Sequence, residues 1–325
     1  MGCRRSGRYF PRTVARLIGA KPTEIYFTSG ATEAINLSLL GVCKKNDGKG
    51  NHLITCVTEH KAVLDTCRQL EKQGFRVTYL DVDESGALNL EALENAITDQ
   101  TILVSLMSAN NETGVIHPLK EISRITREKG ALLMTDATQA LGKIPFEVQE
   151  LGVDLVAFSA HKLYGPKGVG GLYVRNRPDL KLSPLFFGGG HEKRLRPGTL
   201  NVPGIVGFGK ACEICANEMD RGSLRLSKWR DKLEAELRNL EHTQMNGRAS
   251  TRLPHTTNLS FRHIDGSKLI RSLPGLALLR VPPAPQGPWR PSHVLKSYQA
   301  FRISWLYRLY ALGLEDLIPG RRSQL

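Results

Sequence analysis

The sequence predicts an α/β fold, a mostly parallel central sheet with helices on both faces. Two observations carry the prediction. From Thr23 to Val174 short β-branched runs alternate with amphipathic stretches, and small polar clusters follow one run after another. With 325 residues, 41% of them hydrophobic, the chain can build a sizeable core and two domains.

In order, the strands are expected at Glu24–Thr28, His52–Cys56, Arg76–Leu80, Ile102–Met107, Leu132–Thr135, Leu155–Ser159 and Gly171–Val174. Helices are expected between them at Thr32–Cys43, Ala62–Lys72, Leu90–Ile97 and Lys120–Lys129. Strands covered on both faces read as near-continuous apolar runs, and their ligands bind beyond the strands' C-terminal ends. After Gly188-Gly189-Gly190 and the Pro197-Gly198-Thr199 turn, a long helical region runs from about Gly204 to Leu240. It leads into a smaller C-terminal domain, which divides the chain into residues 1–205 and 206–325. From Val281 to Pro291 five prolines fall in eleven residues, which neither helix nor sheet can use internally.

Composition excludes disorder, collagen and small disulfide scaffolds. No stretch approaches the roughly 20 apolar residues of a membrane helix, and no apolar region follows the basic N-terminus, so a soluble, cytoplasmic protein is expected. The six cysteines are sparse and scattered, as in a reducing compartment. Cys212-Glu213-Ile214-Cys215 has metal spacing but no second ligand pair, and is read as packing within a helix, with no metal expected. Of the net charge of +14, nine charges lie in residues 1–12 and 279–325. The charge brings no nucleic-acid-binding signature with it, and Gly165-Pro166-Lys167-Gly168 lacks P-loop spacing.

The strand ends carry the chemistry. Ser159-Ala160-His161-Lys162 ends a strand in a small-residue turn, where a lysine amine facing a crevice could condense with a carbonyl cofactor; otherwise it is an ordinary surface lysine. Asp136 follows the apolar run 131–134. A buried carboxylate there needs a partner such as a pyridinium nitrogen; the structural alternative is Asp136 capping the next helix. Thr28-Ser29-Gly30-Ala31-Thr32-Glu33 opens a helix after a strand and could hold a phosphate. His60 lies just past another strand, suited to stacking on a ring or shuttling a proton. Asn110-Asn111 could bind a cofactor hydroxyl or simply make a turn. Five polar clusters at five strand ends are what a crevice-binding site requires.

From Thr13 to Leu278 the chain resembles the pyridoxal-phosphate-dependent cysteine desulfurases of the NifS/IscS kind, of the fold-type I aminotransferase superfamily; the segment Ser159–Gly168 is the most specific match. The resemblance implies pyridoxal 5'-phosphate as cofactor and Lys162 as the Schiff-base lysine. Asp136 would pair with the pyridine nitrogen, Gln139 would bond the ring's phenolic oxygen, and His60 would stack on the ring and assist proton transfer. Ala31, Thr32, Ser159 and His161 match phosphate-binding positions, Asn111 the cofactor-contacting asparagine, and Thr199 a residue that reaches the neighbouring subunit's phosphate. It further implies a homodimer that takes L-cysteine, releases alanine and leaves a persulfide for an iron–sulfur scaffold protein or another sulfur acceptor. Selenocysteine lyase, cysteine sulfinate desulfinase and an inactive desulfurase-like protein are the alternatives.

One departure from the family bears on activity. The attacking cysteine belongs to a loop Ser-Gly-Ser-Ala-Cys-Thr-Ser-Gly, whose place is held by Leu279–Gly287 without a cysteine. Codons for Leu279–Gly287 can be chosen that, read from the third base of each, spell that loop. Similar shifts at Met1–Pro11 and Tyr310–Pro319 give family-like segments, and the family's N-terminal Asn-Ala-Thr-Thr strand does not precede Met1. The expectation is a translation of a truncated, frame-damaged gene, or of a sequence containing base-call errors, with residues 1–11 and 279–325 aberrant, the small domain incomplete and sulfur transfer impaired.

Overall fold

The computed structural model describes residues 11–46, 48–248, 251–262, 264, 266–273, 278–280, 293–294 and 306–310. The readings of residues 1–10 and of the proline-rich stretch 281–291 lie outside the described residues.

Helix α1 (residues 11–17) leads into the large sheet. Its strands are β1 (Ile25–Thr28), β2 (His52–Cys56), β3 (Arg76–Leu80), β4 (Thr101–Ser105), β5 (Leu132–Asp136), β6 (Leu155–Ser159) and β7 (Gly170–Val174). They lie in the order β1-β7-β6-β5-β4-β2-β3. The five strands from β3 to β6 are parallel, while β7 runs antiparallel to both β6 and β1. Two reversals return β1 to the direction of β6, so the C-terminal ends of β1, β2, β4, β5 and β6 share one edge. The chain crosses from β3 past β2 to β4, and that reversal of strand order opens a crevice at the same edge.

Period-two alternation fills both faces. Leu53, Leu103, Met134, Leu155 and Leu172 join one buried cluster with Ile35, Leu39, Val63 and Leu70. Ile54, Val104, Leu133, Val156 and Tyr173 join the opposite one with Ile18, Ile122 and Phe208. Helices α2 (Ala31–Lys45) and α3 (Lys61–Glu71) cover the first face; α4 (Leu90–Ala96), α5 (Leu119–Glu128) and the single turn α6 (Val148–Leu151) follow in sequence. The expected strands and helices appear within one or two residues of their bounds.

The long helix α7 (Val202–Arg238) anchors its first turns in the core, where Phe208 meets Phe27 edge-on at 6.5 Å and Phe158 at 5.9 Å. Such aromatic pairs contribute about 1 kcal/mol each beyond their burial. Cys212 and Cys215 lie on the same buried stripe, with Cys215 Sγ 4.0 Å from the Leu163 carbonyl. They pack beneath the turn that carries Lys162, in keeping with a packing role.

Beyond α7 lies a second sheet with the order β10 (Leu278–Arg280), β11 (Leu306–Tyr310), β9 (Thr256–Phe261), β8 (Thr243–Met245), and helix α8 (Gly266–Ser272). All its pairings are antiparallel. β11 was not expected as a strand, yet it takes an inner place, paired across five residues with β9. The nearly buried pair Arg252–Glu234, at 2.7 and 2.8 Å, ties the segment before β9 to the end of α7.

Candidate active site

At the shared edge a cleft of about 630 Å³ opens, and nine of the ten site residues expected from sequence line it: Ala31, Thr32, His60, Asn111, Asp136, Gln139, Ser159, His161 and Lys162. The tenth, Thr199, is exposed and stands outside this lining.

The floor is set by backbone crowding. A side chain on Gly170 would meet Gly30 Cα and the Phe158 carbonyl oxygen at 2.6 Å, so glycine lets the loop before α2 lie directly on β7 and β6. That approach puts Ser29–Thr32 opposite Ser159. The first-turn N–H groups of α2 lack partners within the helix and present a positive dipole end to the cleft. Facing them, Ser159 Oγ and His161 Nδ1 are 2.9 Å apart. Burial, with Lys162 and Lys167 behind it, holds His161 below the usual imidazole range, so it enters neutral. His161 and Lys162 ride a 3₁₀ turn (Ala160–Leu163) that Tyr164 terminates at φ 61°, a left-handed conformation rare for a side chain of that size.

Asp136 ends β5 on the opposite side. Its Oδ1 accepts the Thr138 N–H at 2.9 Å in a turn, not at the start of the helix that the capping alternative required, and the carboxylate lines the cleft. Burial raises its pKa; the Thr138 hydrogen bonds and then the His60 and Lys162 charges act the other way. His60 caps α3: its Nδ1 accepts the Ala62 N–H at 3.1 Å, which leaves the ring proton on Nε2. The two asparagines divide their work. Asn110 makes the turn, its Oδ1 accepting from Glu112 N, Thr113 N and Thr113 Oγ1, while Asn111 lines the cleft.

Sequence reasoning missed two features. Glu33, on the first turn of α2, lines the cleft and is bridged by Arg196 at 2.6 and 3.2 Å. Against the upward push of burial, hydrogen bonds from Arg196 and Ser29 hold its carboxyl below the usual range. Glu59, beside His60, is buried and accepts the Met107 N–H. The first joins residues 163 apart and no local pattern announces it; the second was visible only as an acid next to the selected histidine.

The site fits pyridoxal 5'-phosphate. Among the described residues Asn111 Oδ1 is buried without a hydrogen-bond partner, and Asp136 is a buried carboxylate that lines the same cleft. Together they offer acceptors and one negative charge to a polar heterocycle, with an anion cradle at one end and an amine at the other.

A mostly parallel sheet with an anion cradle, a buried aspartate and a lysine at its C-terminal edge defines an enzyme of the fold-type I pyridoxal-phosphate class. The aminotransferase class-V family model matches residues 9–275. The chain is 49% identical over 284 residues to the cysteine desulfurase IscS of Histophilus somni (strain 2336), covering 87% of this chain and 70% of that protein. A solved NifS-like protein superposes with a TM-score of 0.86 at 38% identity, over 94% of this chain and 83% of that one. SspA, solved in complex with cysteine, superposes at 0.79 with 32% identity, over 94% and 86%. The chain belongs to the class-V aminotransferase family. Within it, it is a pyridoxal-phosphate-dependent cysteine desulfurase.

Proposed function

We propose that Lys162 holds the cofactor and that the cleft residues divide the desulfurase reaction as follows. When bound, the cofactor supplies a carbonyl carbon and an electron-withdrawing ring. With cofactor and L-cysteine bound, Lys162 Nζ would carry protons at the substrate's Cα. Asp136 holds a proton on the ring nitrogen and so keeps the ring electron-withdrawing. His60 would lie against the ring with its Nε2–H available to the substrate, and Gln139 and Asn111 would hold the ring in place. Ala31, Thr32, Ser159 and His161 hold the phosphate, and Thr199 serves the partner subunit's phosphate. The observation that carries this reading is the convergence of Lys162, Asp136 and the α2 N-terminus on one cleft.

Sulfur transfer is the step we propose to be impaired in this chain, since Leu279–Gly287 carries no cysteine. The five described cysteines are all buried. Burial pushes the Cys43 and Cys67 thiols up to about 12 and Cys56 to about 11, and raises Cys212 and Cys215 as well, so none offers a mobile thiolate. Family membership and the 54% and 81% exposed Phe186 and Phe187 support a homodimer. An iron–sulfur scaffold as acceptor and a cytoplasmic setting rest on family membership, and no described helix is long and apolar enough to cross a membrane.

Borohydride reduction of the loaded protein followed by peptide mapping tests the assignment. The cofactor is expected on the peptide containing Lys162, and a label on another side chain overturns it.

A further inference from the structure

We propose that Glu59 is a positioning residue of the cofactor cleft, its uncharged carboxyl tying the loop that carries His60 to the strand end that carries Ala109 and Asn111. The proposal rests on the reading of Lys162 and Asp136 above, and its tests separate the two.

Glu59 is 1% exposed and sits between β2 and α3, immediately before His60. Its Oε1 accepts the Met107 N–H at 2.6 Å, just past β4 and two residues before the cleft residue Ala109. Asn110 Nδ2 donates to the carbonyl of Thr58 at 3.1 Å, a second tie between the same two segments. On the far side, His293 Nε2 donates to the Glu59 carbonyl at 2.8 Å. The wall bearing His60 and the wall bearing Asn111 are therefore tied by two side-chain bonds, one made by Glu59 and one by Asn110.

The charge state follows from the surroundings. Among the described residues Oε2 is buried without a hydrogen-bond partner, and no cation forms an ion pair with this carboxyl. Its ionisable neighbours are Asp136, Cys56 and Cys67, with His293 at its carbonyl; none is a cation bonded to the carboxyl. An isolated buried carboxylate costs several kcal/mol, so such a group takes a proton instead. Burial indeed pushes Glu59 well above the carboxylate range, against the Met107 hydrogen bond and with the Asp136 charge adding to the push. Of the two buried acids, only Asp136 lines the cleft. A neutral Glu59 leaves Asp136 as the single anion available to the ring nitrogen.

The experiment compares full-length wild type with Glu59→Gln, Glu59→Asp and Glu59→Ala. Gln keeps the acceptor without a charge; Asp keeps the acid but falls short of Met107. After loading with pyridoxal phosphate, the readouts are the pH midpoint of the cofactor's visible absorbance, its circular dichroism and its dissociation constant. Gln is expected to keep the wild-type midpoint and dichroism, whereas Asp and Ala lose dichroism and bind at least tenfold more weakly. A downward shift of the midpoint in Gln shows an anion at Glu59 and overturns the charge assignment. Unchanged dichroism and affinity in Asp and Ala overturn the positioning role. Should Ala fail to fold, the Gln and Asp pair decides. Should wild type itself show no lysine-bound cofactor, the Lys162 reading fails, and amide exchange in the unloaded chain still judges Glu59. Faster exchange over residues 107–111 in Asp but not in Gln supports it, and equal exchange in both overturns it.

Discussion

His117 is a histidine the proposed reaction does not use. It is 3% exposed, and neither ring nitrogen has a hydrogen-bond partner among the described residues. Burial pulls its pKa down to about 4, below the ordinary imidazole value of 6.5. Between those values the unfolded chain binds the proton and the folded chain does not. Stability is therefore fully present above pH 6.5 and is lost as pH falls towards 4, by up to about 3 kcal/mol. His117→Leu removes two buried polar atoms and the titration together. Urea unfolding from pH 7 to pH 4 should show that part of the decline disappear in the variant, with stability at pH 7 kept or raised; an unchanged slope would assign the acid sensitivity to other groups. The polar clusters that hold the nine cleft residues were legible because a polar residue placed straight after a buried strand reaches the strand-end crevice, while the family resemblance singled out individual members such as Ala31 and Gln139. His117 and Glu59 were not, since their burial is set by elements distant in sequence.

Elements were legible where burial alone dictates pattern. β2, β5 and β6 are apolar on both faces, and such runs mark strands without reference to their partners. The antiparallel placement of β1 and β7 was not legible, since strand direction follows from the connection rather than from composition. β1 is an edge, and the segment after the triple glycine covers it: Glu192 Oε2 accepts the Phe27 N–H at 2.8 Å, and Lys193 Nζ bonds the Thr23 carbonyl and lies 4.6 Å from the Tyr26 ring centre. The same segment reaches the cleft through Arg196 and Glu33, so a surface loop sets the charge at the end of α2. With Arg196 removed, Glu33 faces the phosphate as an unpaired anion. Arg196→Met should therefore weaken pyridoxal phosphate about tenfold, roughly 1.4 kcal/mol, and pyridoxal without its phosphate far less. Adding Glu33→Gln should restore most of the loss. Absorbance titrations of the two ligands check both parts, and equal weakening of both would place the effect in the fold instead.

For the whole molecule, cofactor chemistry and sulfur capture are separable. The amine, the buried aspartate and the anion cradle come from residues 31–162, all within the larger sheet and its loops. The family resemblance puts the expected place of a sulfur-accepting cysteine at Leu279–Gly287, of which Leu279 and Arg280 belong to β10 while 281–287 lie outside the described residues. No cysteine follows Cys215 in the sequence. The loaded chain should consequently bind L-cysteine and change its visible spectrum, yet carry no persulfide and form alanine at least about a hundredfold more slowly than a chain with the nucleophile. Replacing residues 279–287 with Ser-Gly-Ser-Ala-Cys-Thr-Ser-Gly supplies a thiol at that place. Mass spectrometry after incubation with L-cysteine should then find one added sulfur on the new cysteine, while the same graft with serine for cysteine should find none. Persulfide on the unaltered chain would show that one of its own six cysteines reaches the substrate sulfur, and the separation of the two chemistries would fail.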